Sequence, residues 1–556
     1  MTDSSRTHTP IDSIADAWVD TVAELSPTAA TYIGRYEHND RFGDYSPAGA
    51  EASAAAARAT LSALEAAEVT DEIDRVTQLD LARELRLQLE LHEKQTYLSD
   101  LNVIASPAQD IRQVFDLMPT DTVEDWSVIS TRLAAVPGAI DGYLETLREG
   151  IRVGRTPARR QVLQVLGQAE RYTTANGFFA TFTGEAVVEN GQIPASLARD
   201  LADSSNAARV AYDRLANFLG TELAPEAREQ DAVGREAYAL HSQQFLGAKV
   251  DLDETYEWGI GELARMVAEQ ESIAHEILPG ASVAEAVAHL EADPSRKLHG
   301  TEELQRWMQE TSDRAVEELG RTHFDIPAPI RRLECMIAPT NEGGIYYTGP
   351  TDDFSRPGRM WWSVPEGVTE FDAWRELTTV YHEGIPGHHL QIAQAVYNRS
   401  ELNSWRRLLA GTSGHAEGWA LYAERLMESL GYLDDPADRL GMLDGQRMRA
   451  ARVVLDIGVH LQKPRPDGVG TWDAEFALDF MRRNVNMSDE FIQFEVNRYL
   501  GWPGQAPSYK VGQRIWEQLR DDVAAAEGDS FSIKAFHKRA LDIGGVGLDT
   551  LRTALA

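Results

Sequence analysis

The sequence predicts a mainly α-helical protein with one small β-sheet, and three observations lead there. Ala, Leu, Glu, Arg and Gln dominate helix-length segments from Asp12 to about Gly320. Short β-prone runs are confined to 327–365, and helical periodicity returns after them. At 556 residues the chain exceeds a single typical core, so two lobes are expected: a helical one over 1–325, and a second over 326–556 that holds the sheet and the chemistry-bearing motifs.

In the first lobe the apolar spacing predicts helices near 11–35, 48–67, 70–97, 121–153, 157–174, 194–219, 224–246, 253–276 and 301–320. Breaks are expected at Ser26-Pro27, Pro137-Gly138 and Pro279-Gly280. Asp253-Glu254 and Thr301-Glu302-Glu303 open helices with acids in the favourable first turn. None of these segments carries a catalytic cluster, and Arg155, Arg159 and Arg160 read as a solvated helix face.

Next come Arg332–Ile337, Gly344–Thr348 and Arg359–Val364, three β-prone runs divided by Gly, Pro and Asp, which predict a small sheet. Gly343-Gly344 at its edge would let an extended substrate approach; the alternative is a mere connector with Tyr346 and Tyr347 packed.

Phe371, Trp374, Thr378, Tyr381 and Ile385 then recur at helical spacing. This helix delivers His382-Glu383-Gly384-Ile385-Pro386-Gly387-His388-His389. A His-Glu pair followed by a second His at i+4 lets two imidazoles on one helix face share a metal. Here Pro386 occupies that position and the next histidines lie at i+6 and i+7. On an unbroken helix, i+6 is rotated ~240° and displaced ~9 Å, so the helix has to break. Pro386 and Gly387 supply the break. With that step extruded as a bulge, His382 and His388 are the expected metal ligands and His389 the substitute.

A third ligand is expected on the helix around 413–426, where Ala416, Ala420, Ala423 and Met427 form a mostly small-residue face and Glu417 sits beside it. Two His, one Glu and an open position make a catalytic zinc set. A closed structural site would recruit thiolates, and Cys335 is the only cysteine.

At these residues, H-E-x-x-P-G-H-H-L-Q followed by E-G-W-A-L-Y-A-E, the chain resembles the bacterial family of domain of unknown function 885. Residues 143–168 resemble a helical pair of the same family. That family is similar in fold to the Taq-type zinc carboxypeptidases of the gluzincin group. The resemblance implies a large multi-helix zincin-like peptidase fold with a central groove, the small sheet lying next to the metal helix, and the lobe over 326–556 as the catalytic one. It also matches Glu417 and Glu424 to a pair of Glu residues seven apart; the two-residue insertion at Pro386-Gly387 is the departure.

Arg452, Asp456 and His460 fall at i, i+4 and i+8, a polar stripe on an otherwise apolar helix. The resemblance implies that Asp456, with Glu424, orients the ligands. In the family-like segment 497–512, Tyr509 is expected to donate toward a developing oxyanion, with His460 as second choice, and Lys510 or Arg498 to hold a substrate carboxylate.

The expected function is therefore that of a zinc-dependent, carboxypeptidase-like peptidase with Glu383 as general base. The alternatives are a metal hydrolase of other amides or esters, or a helical binding protein whose motif no longer holds metal. The charge of −35, from 88 acidic and 53 basic residues, argues against nucleic acid and anionic membrane as partners and leaves a peptide as the expected one. The N-terminal stretch lacks a basic and apolar leader, and no ~18-residue apolar run occurs, so a cytoplasmic location is expected.

Overall fold

In the computed structural model, which describes residues 6–184, 186–188, 191–338 and 344–556, the chain is mainly α-helical. Most helices of the first lobe lie within a few residues of expectation, and the exceptions have local causes. The 11–35 segment divides at the expected Ser26-Pro27 break into Pro10–Leu25 and Pro27–Tyr32, because the Ser26 side chain caps the second helix at Ala29 N and Pro27 opens it. The expected 224–246 helix is divided between a turn at Ala224–Glu226 and a helix at Arg235–Leu246. Pro137 does not break its helix; Val123–Val153 runs through it. Short helices at Pro107–Gln113, Phe178–Gly184 and Val283–Glu291 are additional to those expected.

Among the described residues five short strands form two sheets. A two-stranded antiparallel ladder pairs β1 (Lys297–His299) with β5 (Glu370–Asp372). A three-stranded sheet has the order β2-β4-β3, where β2 is Leu333–Ile337, β3 Ile345–Thr348 and β4 Gly358–Trp362. β2 runs parallel to β4 and β3 antiparallel to it, so β3 is an edge. Gly343, expected beside this edge, lies outside the described residues.

Eight helices position the site: α1 (Leu252–Ile277), α2 (Gly300–Thr322), α3 (Ala373–Glu383), α4 (His388–Tyr397), α5 (Ser413–Ser429), α6 (Pro436–His460), α7 (Asp489–Gly501) and α8 (Ser508–Glu527). Leu333, Cys335, Met360 and Trp362 of the larger sheet pack with Val380 of α3 and with Leu304 and Met308 of α2, which places the sheet directly beside the motif helix. α3 is buried nearly all round, since Trp374, Leu377, Val380 and Tyr381 are buried together with His382 and Glu383.

The main core draws on both sides of residue 325. Tyr238, Met266, Ile273, Leu319 and Phe324 share it with Trp419, Leu443, Val453, Trp516 and Leu551. Its tightest seam is where α5 meets α8: a Cβ on Gly418 would stand 2.4 Å from the Gly512 carbonyl carbon. A second core, over 101–227, and a third, which joins Ile11, Trp18 and Leu85 to Trp405, complete the interior.

Candidate metal centre

α3 ends at Glu383 and α4 begins at His388, with Gly384–Gly387 as a connecting turn. The break is thus a full interruption between two helices, larger than the expected bulge. The Ile385–Pro386 bond is cis. Gly387 donates its N–H to Tyr381 O (3.0 Å), and a Cβ there would lie 1.9 Å from His382 O, so only glycine fits. Trp419 of α5 reaches across and donates its indole N–H to Pro386 O (2.9 Å).

This turn faces the two imidazoles toward each other. Their ring centroids are 4.9 Å apart and the planes perpendicular. Glu417 Oε2 lies 3.3 Å from His382 Nε2 and 3.6 Å from His388 Nε2. Tetrahedral ligands about 2.0–2.1 Å from a shared zinc ion are themselves separated by about 3.3 Å, so this spacing suits one. Glu417 Oε2 is buried without a hydrogen-bond partner among the described residues, which a cation would supply. Ligating atoms of His382, Glu383 and His388 also fall within 4.8 Å of one another, placing Glu383 beside the trio.

Electrostatics point the same way. Burial opposes charge on His382, yet the nearby Glu417 carboxylate and the hydrogen bond to Glu424 outweigh it and push the imidazole up to about 10. Burial likewise works against ionising Glu417, but the two histidines hold it well below the usual carboxylate range. Glu383 is raised by burial. The carboxylates of Glu383, Glu417 and Glu424 lie around the two imidazoles, with the Arg449 cation acting on Glu383 and Glu424.

His389 is occupied elsewhere. Its Nδ1 meets the Tyr347 hydroxyl (2.8 Å) and its Nε2 donates to Ile330 O (2.7 Å), so neither nitrogen is free to join the trio.

Orientation of His382 comes from a relay. Lys510 Nζ has only protons to give and donates to Gln446 Oε1 (2.7 Å). The Gln446 amide must then present its NH2 to Glu424 Oε2 (3.1 Å), and Glu424 Oε1 accepts from His382 Nδ1 (2.7 Å). The Nε2 lone pair is thereby left for a metal. Glu424 thus touches His382, the residue it is expected to orient. Asp456 does not touch this group: its Oδ2 accepts from Tyr238 OH (2.7 Å) and Gly504 N (2.8 Å).

Other expected residues divide between the site and the core. Tyr509 is near Glu417, since that carboxylate and burial raise its phenol, and the Arg449 and Arg452 guanidiniums lie 5.8 and 5.3 Å from its ring centre. His460 is sealed in the core, Nε2 donating to Tyr499 O (3.0 Å) and its ring stacked on Tyr238, about 16 Å along α6 from Arg449. Lys510 is tied to Glu262, Gln446 and Gln513, and Arg498 to Glu495 and Gln505, so both expected carboxylate anchors are engaged.

The residue that the sequence reading missed is Arg449. Its charge acts on Glu383 and Glu424, its Nε is buried, and it makes no hydrogen bond or ion pair with any described residue. Extending the Arg452-Asp456-His460 stripe toward the N-terminus in steps of three reaches Arg449 and Gln446, which was the available signal.

Fold and site together define a mainly helical protein with a buried His-Glu-His group, His382, Glu383 and His388, that could hold a metal ion. The chain belongs to the family described as bacterial protein of unknown function (DUF885), whose model matches residues 27–555. Two solved structures are similar over nearly the whole chain. One, from Colwellia psychrerythraea, is 22% identical with a TM-score of 0.85, covering 99% of each chain. The other, from Shewanella oneidensis, is 17% identical with a TM-score of 0.74, covering 98% of this chain and 99% of that one. Both are described as a "putative lipoprotein". No curated protein matches the chain. Among the described residues no helix is long and apolar enough to cross a membrane.

Proposed function

We propose that this protein is a metal-dependent hydrolase acting on peptides, with zinc held by His382, His388 and Glu417, and carboxypeptidase-like in its choice of bond. The observation that carries this is the convergence of His382 Nε2, His388 Nε2 and Glu417 Oε2 at ligand-to-ligand spacing with Glu383 alongside. Zinc bound there would supply Lewis acidity toward the scissile carbonyl and acidify a water.

The chain's own residues do the rest. Glu383, raised by burial, takes a proton from the attacking water and passes it to the leaving amine. Tyr509, kept protonated by burial and by Glu417, donates its hydroxyl toward the oxygen on which charge develops. Arg449, the uncommitted cation beside Glu383, receives the substrate's carboxylate in place of Lys510 and Arg498. Edge strand β3 pairs only with β4 among the described residues, in the sheet packed against α3, and its other edge would receive an extended peptide backbone.

Glu383→Gln tests the reading. The variant is expected to retain about one equivalent of zinc while losing peptide hydrolysis by roughly 10³-fold or more, whereas Glu417→Ala loses the metal as well. Full turnover by Glu383→Gln would sink the general-base assignment. Less than about a tenth of an equivalent in the zinc-loaded wild type would favour a binding protein, and turnover of non-peptide amides alone would favour the other hydrolase class.

A further inference from the structure

A cavity of about 570 Å³ lies apart from the metal group, and no residue of the His-Glu-His set lines it. Its walls come from segments far apart in sequence: Tyr97 to Ala105, Gly154 to Ala158, Arg228, His241 to Phe245 and Leu500 to Pro503. They are firmly held. Gln161 accepts from Val103 N (3.1 Å) and donates to Asn497 O (2.8 Å), bridging two walls, and Trp502 packs edge-on against Phe245 at 5.4 Å.

Besides the imidazole of His241, three charged side chains line this space without an ion pair among the described residues: Asp100, Arg155 and Arg228. The one side-chain hydrogen bond found for them runs from Arg228 Nη1 to Ala232 O (2.6 Å). Asp100 and Arg155 are exposed to this space and Arg228 is half-buried, so both signs of charge are open to a ligand that carries both. Two guanidiniums offer a carboxylate several donors, and the single acid offers an ammonium its partner. Trp502, Phe245 and Tyr97 give an apolar side chain something to lie against. The volume falls within the usual range for small-ligand sites and admits two or three residues.

We propose that this cavity binds a short zwitterionic peptide, its ammonium at Asp100, its carboxylate at Arg155 and Arg228, and an apolar side chain against Trp502 and Phe245. This binding does not depend on the hydrolase reading, because no metal ligand takes part.

The test is calorimetric titration of leucyl-phenylalanine into full-length Glu383→Gln protein, before and after treatment with a chelator. Saturable binding of one equivalent is expected in both preparations. N-acetylation or C-amidation of the dipeptide is expected to weaken binding at least about tenfold. Asp100→Asn should erase the penalty for acetylation and Arg228→Gln the penalty for amidation, each leaving the other in place. Three results would each overturn the proposal: no saturable binding, binding abolished by the chelator, or blocked dipeptides binding as well as the free one. The wild-type zinc and turnover assays decide the hydrolase reading separately.

Discussion

Lys510 touches no candidate ligand, yet it decides which way Gln446 presents its amide and so which nitrogen of His382 stays free. Lys510→Met should lower zinc affinity by about tenfold, read by competition with a chelating dye. In a Gln446→Leu background the same change should add almost nothing, because both act through Glu424; full additivity would rule out the relay. Asp456 makes a different residue-scale prediction. Burial pushes it up to about 7, above the ordinary value it regains on unfolding. The folded state therefore holds its proton more tightly, so this stability is complete below about pH 4 and lost as pH rises through 7. Between pH 5 and 8 the wild type should lose of order 2 kcal/mol relative to Asp456→Asn in denaturant unfolding, and a gap independent of pH would contradict the assignment.

Among elements, the α3–α4 junction and the α5–α8 seam leave least room. Gly387→Ala would drive a methyl into His382 O, and the expected result is a protein that has lost zinc and several degrees of melting temperature. Gly418→Ala should cost about 2–4 kcal/mol by forcing α5 from α8 while leaving the motif turn intact. The helices and the small sheet were legible in the sequence because apolar period and breaker residues are local signals. So were His382, Glu383, His388 and Glu417, brought together here through a break that Pro386-Gly387 announced. The choice against His389 was not legible, since it depends on Tyr347 and Ile330, 42 and 59 residues away in sequence. Nor was the division of labour on α6. Spacing puts Arg449, Arg452, Asp456 and His460 on one stripe, but only packing shows that Arg452 pairs with Glu495, that Asp456 and His460 face the core, and that Arg449 is uncommitted.

For the whole molecule, the shared core means that residues 326–556 alone would expose the faces that Tyr238, Met266 and Leu319 now cover. Expressed by itself, that segment should be insoluble or molten, and a cooperative melt from it would show that the halves fold separately. With a charge of −35, the chain repels itself. Raising salt to about 0.15 M should increase its melting temperature, and a decrease would mean that its many surface ion pairs outweigh the repulsion.

The interruption at Gly384–Gly387 also changes what a bound ion would mean to the chain. In an uninterrupted motif two donors already stand on one helix, whereas here the three donors ride on α3, α4 and α5 and exist as a set only once tertiary structure has formed. Occupancy is then linked to folding, each gaining what the other gains, and stripping the ion should loosen the centre of the protein as well as silence it.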